Sequence, residues 1–312
     1  MPLLTCSADD LPENAWSELT GRSLLSSPSF ARLWRLLGGR EIFHYRLEDN
    51  NLCSGMAGVI FGKSIWARYQ SMPDGLYGGP FHQHHMDSSR KTLFDRKFHS
   101  WINSRQFLRI DIHNPPGPMN LPGFKANEAE YHLLSLDRKP LQPPRKSVTK
   151  HIRTGEKRGG RVCLIEDRSQ IDDLFAIIEK AAKKHGQKPR YPKEFFEALL
   201  KLSLTDKRIM WPGMAVDDKI VAFRICFIER SRILSWQYYA DPKYLQYKPS
   251  YMLLDHIIKY ARENRIKAIN LGWTPPGTPS LVQFKEAWGA RPTRLVNFSR
   301  FGPLGKLVYR WR

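Results

Sequence analysis

The sequence predicts an α/β chain organised as two similarly ordered halves. Three observations carry this expectation. Strand-like runs of branched and aromatic residues alternate with amphipathic helical stretches. The order of these elements repeats between the halves, and a Pro- and cation-rich joint separates them.

In the first half, residues 29–37 read as a short amphipathic helix. Residues 42–47, 57–61 and 65–69 read as strands, with the turn Glu48-Asp49-Asn50-Asn51 between the first two. A helical stretch at 88–104 follows Gly78-Gly79-Pro80, and 108–112 reads as a further strand. The second half predicts helices at 171–185 and 193–203, with apolar residues three and four apart. A meander follows: 214–216, a turn at Asp217-Asp218, then 220–228 and 233–239. The amphipathic helix 250–264 and the strand 269–272 close the series. Residues 49–65 resemble 217–233 in pattern, and Phe107–Asp111 resembles Ala268–Gly272, which implies a duplicated domain. The expected layout is a first domain over 1–137, a basic Pro-rich connector over 138–146 and a second domain over 147–312.

Composition narrows the function classes. The 312 residues include 41% hydrophobic and 12% aromatic residues, enough for real cores and against a disordered chain. The apolar runs are far shorter than the ~20 residues a membrane-spanning helix needs. Fifty Lys and Arg against thirty Asp and Glu leave a charge of +20, which favours anionic partners. Asp9, Asp10 and Glu13 stand where a secretory signal would be basic and then apolar, and Cys6, Cys53, Cys163 and Cys226 are scattered. The expected location is therefore the cytoplasm. His82, His84 and His85 lack a second ligand group, so no metal site is expected. P-loop, dinucleotide and Ser-elbow motifs are absent.

The most informative segment is 272–290. A strand ends in a Gly- and Pro-rich loop, and a short helix then carries Phe284 and Lys285 and stops at Gly289. An ammonium at that place can neutralise the oxyanion formed when an amine attacks an acyl carbon. Spacing alone favours a solvated helix lysine, which is what most lysines are.

The run 238–290 resembles the C-terminal part of the Fem family, the FemABX-type aminoacyltransferases and the related BioF2-like acyltransferase domains. The matching pieces are Tyr239-Ala240, 247–254, Ile269-Asn-Leu-Gly272 and Phe284-Lys-Glu-Ala-Trp-Gly-Ala290, with Trp288 where the family shows a Phe. Residues 147–162, Tyr77-Gly-Gly-Pro80 and Leu108-Arg-Ile-Asp111 resemble other pieces of the family pattern. The resemblance implies an α/β (α+β) fold of two tandem GNAT-like acyltransferase domains, mixed central sheets flanked by helices. It implies amide formation between an activated acyl donor and an amine such as a cell-wall precursor. Lys285 falls on the lysine implicated in stabilising the transition state, and Asp111 on an acid found in some members. The chain runs straight on through 193–203, without the coiled-coil arm of some members.

The donor implied is charged tRNA or acyl-CoA, used as co-substrate rather than as a tightly bound cofactor. GNAT enzymes cradle a pyrophosphate on a Gln/Arg-x-x-Gly-x-Gly/Ala loop at a helix start. The equivalent stretch here is Gln246-Tyr247-Lys248-Pro249-Ser250-Tyr251, where Pro249 and Tyr251 replace the small residues. Bulk there argues against ordinary acetyl-CoA, and charged tRNA is the favoured donor. Lys146, Lys150, Arg153, Lys157 and Arg158 are spaced to line a helix face with cations for a phosphate-bearing donor. A nucleotide- or lipid-linked amine is the expected acceptor. Arg190, Tyr191, Trp236, Tyr238 and Tyr239 are candidates for its groove, although each also suits core packing. Asp111 or Tyr239 is the candidate to place or deprotonate the amine. The tail from Lys306 to Arg312 interleaves aromatics and cations and either rests on an anionic membrane face or packs as an ordinary terminus.

Overall fold

The computed structural model describes residues 2–113, 119–137 and 145–308. In chain order it begins β1 (Leu4–Cys6), α1 (Glu13–Leu19), α2 (Pro28–Arg32), β2 (Gly39–Glu48), β3 (Asn51–Phe61), β4 (Arg68–Gln70), β5 (Phe81–His82) and α3 (Ser88–Asn103). It continues β6 (Arg109–Ile112), β7 (Lys125–Ser135), α4 (Lys146–Lys157), β8 (Arg161–Leu164), α5 (Ile171–Lys184) and α6 (Lys193–Thr205). The remainder is β9 (Ile209–Met210), β10 (Pro212–Val216), β11 (Lys219–Glu229), β12 (Arg232–Ala240), α7 (Pro249–Glu263), β13 (Ala268–Trp273), α8 (Pro279–Ala287), β14 (Arg291–Phe301) and α9 (Pro303–Val308).

Two compact units emerge, Met1–Ala129 with Arg294–Arg312, and Glu130–Thr293. The expected second domain ran to residue 312, whereas Arg294 onward groups with the first unit. Residues 138–144 of the expected connector lie outside the described residues, and Lys146 already opens α4.

In the first unit β1, β2, β3 and β4 pair antiparallel in sequence, β4 runs parallel to β6, and Phe298–Phe301 of β14 pairs antiparallel with β6. Helix α3 places Phe94, Phe98 and Ile102 on one stripe, buried against Met56, Tyr69, Ile110 and Ile112. Asp87 caps this helix by accepting from the Arg90 amide.

In the second unit β8, β10, β11 and β12 pair antiparallel. Strand β13 lies parallel to β12 and antiparallel to residues 131–135 of β7. Helix α7 buries Leu254, Ile257, Ile258 and Ala261 against Ile233 and Ile269, joined by Val148 of α4 and by Ala287 and Trp288. Each unit thus repeats hairpin, third strand, helix and parallel strand. The hairpin turns are twins: Asp49-Asn50 and Asp217-Asp218 both have φ of 50° and 61°, the left-handed pair that a tight type I′ turn requires.

Three sequence expectations need correction. The helix expected over 29–37 splits at Arg32 into α2 and a 3₁₀ turn, Leu33–Leu37. The strand expected over 65–69 begins only at Arg68, because Ser64–Trp66 forms a 3₁₀ turn entered through Ser64 at φ 50°. The two eleven-residue strands β7 and β14 were not anticipated, since Lys125, Glu128 and Glu130 in one and Arg291 and Arg294 in the other break any apolar run.

Candidate acyl-transfer site

The site is built where two parallel strands part. Strands β12 and β13 pair only over Arg232–Leu234 with Ala268–Asn270. Beyond that, β12 stays paired with β11 alone, and β13 continues beside β7. Cys226 faces Ser235 and Ile225 faces Gln237, so Trp236 is an extra residue, a bulge that turns β12 at the fork. On the other arm Gly272 takes φ +79° and its amide donates to Asn270 Oδ1, so β13 bends into the 273–278 loop.

Helix α8 starts with Pro279 at its first turn and delivers Lys285 to this fork. Helical side chains lean toward the N-terminus, so the Lys285 stem runs back over the turn toward the loop. The side chain is only 3% exposed. Its three ammonium protons are all donated: to the Gly272 carbonyl at 2.8 Å, the Trp273 carbonyl at 3.1 Å and Thr274 Oγ1 at 2.9 Å. Thr274 Oγ1 also lies 2.9 Å from Nδ1 of the fully buried His132. The arrangement that satisfies both has the Thr274 hydroxyl donating to a neutral His132. Burial and the Lys285 charge hold His132 below its usual pKa, which agrees with that neutral state. Burial pushes the Lys285 ammonium down to about 8, and the charge of Arg224 acts in the same direction, while Glu130 opposes it.

Arg224 was not anticipated from the sequence. It stands on β11 opposite Tyr238 of β12. Its Nη1 donates to Ser235 Oγ at 3.0 Å, and its guanidinium lies 4.6 Å from the Tyr238 ring centroid. The hydroxyl of Ser250, in the first turn of α7, bonds the Tyr238 phenol, whose pKa burial raises. Ser235 is also next to Gly272: a Cβ on that glycine would lie 3.5 Å from the Ser235 carbonyl oxygen. Arg224, Ser235, Gly272 and Lys285 therefore converge at the fork.

The other expected site residues are distributed differently. Phe284 meets Tyr251 edge-on at 5.1 Å, and Tyr251 also contacts His151 at 4.4 Å, forming an aromatic group between α8, α7 and α4. Trp236 packs with Tyr191 and Phe195, and Tyr239 with Phe196 and Phe223, on the face covered by α6. Tyr238 projects to the opposite face, so these aromatics do not form the single groove expected of them; the bulge at Trp236 breaks their alternation. Arg190 is exposed, 5.9 Å from the Tyr191 ring. Gln246 is exposed and its carbonyl accepts from Arg158 at 2.8 Å, while Tyr247 pairs with Tyr244. Lys146, Lys150, Arg153 and Lys157 are exposed and fall within about 60° on α4 at 100° per residue; Arg158 lies off that stripe. Asp111 belongs to the first unit, where it is 6% exposed and ion-paired with Arg109 at 2.8 Å. The first unit also holds a cleft of about 1090 Å³ lined by Arg40, Lys63, Trp101 and Arg105. Among the described residues no cluster of metal-ligating side chains is present, and His82 instead bonds Ser54 at 3.0 Å. No described helix is long and apolar enough to cross a membrane.

Comparison with known proteins bears on the fold. Residues 144–285 match the acetyltransferase (GNAT) domain family. The crystal structure of FemX superposes with a TM-score of 0.72 at 12% identity, covering 100% of this chain and 99% of FemX. L-PGS from Bacillus licheniformis gives 0.62 at 14% identity, covering 93% of this chain and 92% of its own. A tandem GNAT protein from the clavulanic acid biosynthesis pathway gives 0.54 at 11% identity, covering 96% and 98%. A search of curated proteins returned no match. At these identities the solved structures speak to the fold, and the domain match speaks to the enzyme class. Residues 144–285 thus match a GNAT domain, an acyltransferase class, and the chain as a whole shares the fold of FemX and of a tandem GNAT protein.

Proposed function

We propose that the fork of β12 and β13 is where an acyl or aminoacyl group passes from an activated donor to an amine. The amine nitrogen attacks the donor carbonyl, the carbon–nitrogen bond forms, the carbon–oxygen or carbon–sulfur bond to the donor breaks, and the proton lost by the amine ends on the departing oxygen or sulfur. Lys285 stabilises the oxyanion of that step. The observation that carries this reading is a desolvated ammonium whose three partners are all neutral oxygens. A developing oxyanion is a stronger acceptor than any of them, and an exchange of one partner gains most in the transition state.

The donor favoured is an aminoacyl ester such as charged tRNA. Pro249 is buried at the start of α7, Tyr251 is engaged with His151 and Phe284, and α4 lies against the same helix. That filling leaves little room for a pyrophosphate against the α7 backbone. The exposed cations of α4 suit a phosphate-bearing donor. The GNAT match over 144–285 favours the second reading, an acyl-CoA donor. The acceptor is a nucleotide- or lipid-linked amine of the cell-wall precursor kind.

Charged tRNAs and acyl-CoAs, each offered with candidate amines and read by product mass, test both readings. Transfer from tRNA alone is expected. Sub-millimolar coenzyme A binding by calorimetry, with transfer from a thioester, selects the second reading. Replacing Lys285 by Ala is expected to lower turnover about 10²–10³-fold, as loss of an oxyanion donor does; unchanged turnover removes the assignment.

A further inference from the structure

We infer that Arg224 binds a carboxylate or phosphate of the substrate through its unpartnered Nε edge, beside the carbonyl that Lys285 serves. This rests on the fork being the transfer site.

A buried guanidinium is retained at large cost unless an anion or several acceptors compensate it. Arg224 is 9% exposed, and its Nε is buried without a hydrogen-bond partner. Nη1 has the Ser235 hydroxyl, a neutral acceptor. Among the described residues no carboxylate pairs with it, and no hydrogen bond engages Nη2. The Tyr238 ring offers a cation–π contact, which returns much less than desolvating a guanidinium costs. What is left open is the Nε–Nη2 fork, the edge that matches two oxygens of a carboxylate or phosphate.

The neighbourhood points the same way. Arg224 is close enough to Lys285 that its charge disfavours the ammonium, and Glu130 is the acid that acts on Lys285. Two desolvated cations at a strand fork make a site short of negative charge. Lys285 meets a charge that exists only during the reaction, whereas the fork of Arg224 suits a permanent one. A substrate with an anionic group a few bonds from the reacting carbonyl or amine satisfies both. An acyl group or amino-acid acceptor bearing a carboxylate fits, and so does a phosphate next to the reacting end.

The test is calorimetric titration of the full chain with malonate and with inorganic phosphate, at constant ionic strength in chloride. The wild type is compared with Arg224→Met and Arg224→Lys. The wild type is expected to bind one anion better. Malonate indicates a substrate carboxylate, and phosphate a nucleotide- or phospholipid-linked group. Arg224→Met is expected to weaken that binding at least ~10-fold, as loss of a buried ionic partner does. Should the Met variant not fold, Arg224→Lys carries the comparison, with a similar loss because an ammonium lacks the fork. Failure of the wild type to bind either anion overturns the proposal. So does equal binding by a folded variant, which would place the anion on the basic surface. Binding is measured without turnover, so loss of the Lys285 assignment and loss of this one are separate results.

Discussion

The proposed chemistry rests on one titratable group, Lys285. Its ammonium is held down to about 8 by burial first and by Arg224 second. The protonated form is the one that stabilises an oxyanion, so kcat/KM is expected to fall as pH rises through about 8, measured with a saturating acceptor. A profile flat to pH 9.5 would contradict the assignment. Thr274 supplies one of the acceptors that favour the charged form. Thr274→Val is therefore expected to move that basic limb to lower pH, and a shift upward would be inconsistent with the geometry. Lys285 was a candidate in the sequence through the resemblance of its Phe-Lys pair and Gly-Ala ending to the Fem pattern, and the structure buries it. Arg224 was overlooked, although a signal was present: it is the single charge in the apolar run Ile220–Ile228, all of which lies on β11. Thr274 and His132 gave no such signal, because their roles depend on β7 and the 273–278 loop meeting.

Helix α4 illustrates what an element contributes beyond its charges. It lies against α7 so closely that a Cβ at Gly155 would collide with Met252 Sδ and sit 2.5 Å from the Tyr247 carbonyl oxygen. Gly155→Ala gains about 1 kcal/mol of helix propensity but overpacks against backbone, at a cost of about 1–3 kcal/mol. Because the Tyr247 oxygen cannot swing aside, a lower urea midpoint is expected; a higher one would show the contact to be looser. The helices of the second half were readable to within a few residues, since their apolar spacing is strong: α5, α6 and α7 each match the predicted stretch. Strands β7 and β14 escaped because charged residues interrupt their apolar pattern, and the bulge at Trp236 escaped because one extra residue leaves no mark on composition.

At the scale of the whole molecule, duplication and charge were both visible from the start. The Asp49-Asn50 and Asp217-Asp218 turns and the parallel pairs β4 with β6 and β12 with β13 bear out the repeated order. The net charge of +20 is partly organised, with four exposed cations on one stripe of α4. Replacing Lys146, Lys150, Arg153 and Lys157 together by Ala is expected to raise KM for a phosphate-bearing donor and to flatten its salt dependence by up to about four in log–log slope, with kcat little changed. An unaltered salt slope would place the donor's phosphates elsewhere. The most direct measurement for the account as a whole is the single-turnover rate of amide formation with donor bound, for wild type and Lys285→Met. The rate is expected to drop about 10²–10³-fold while donor affinity stays within about two-fold. An undiminished rate in a folded Met variant would contradict the central role of the buried ammonium.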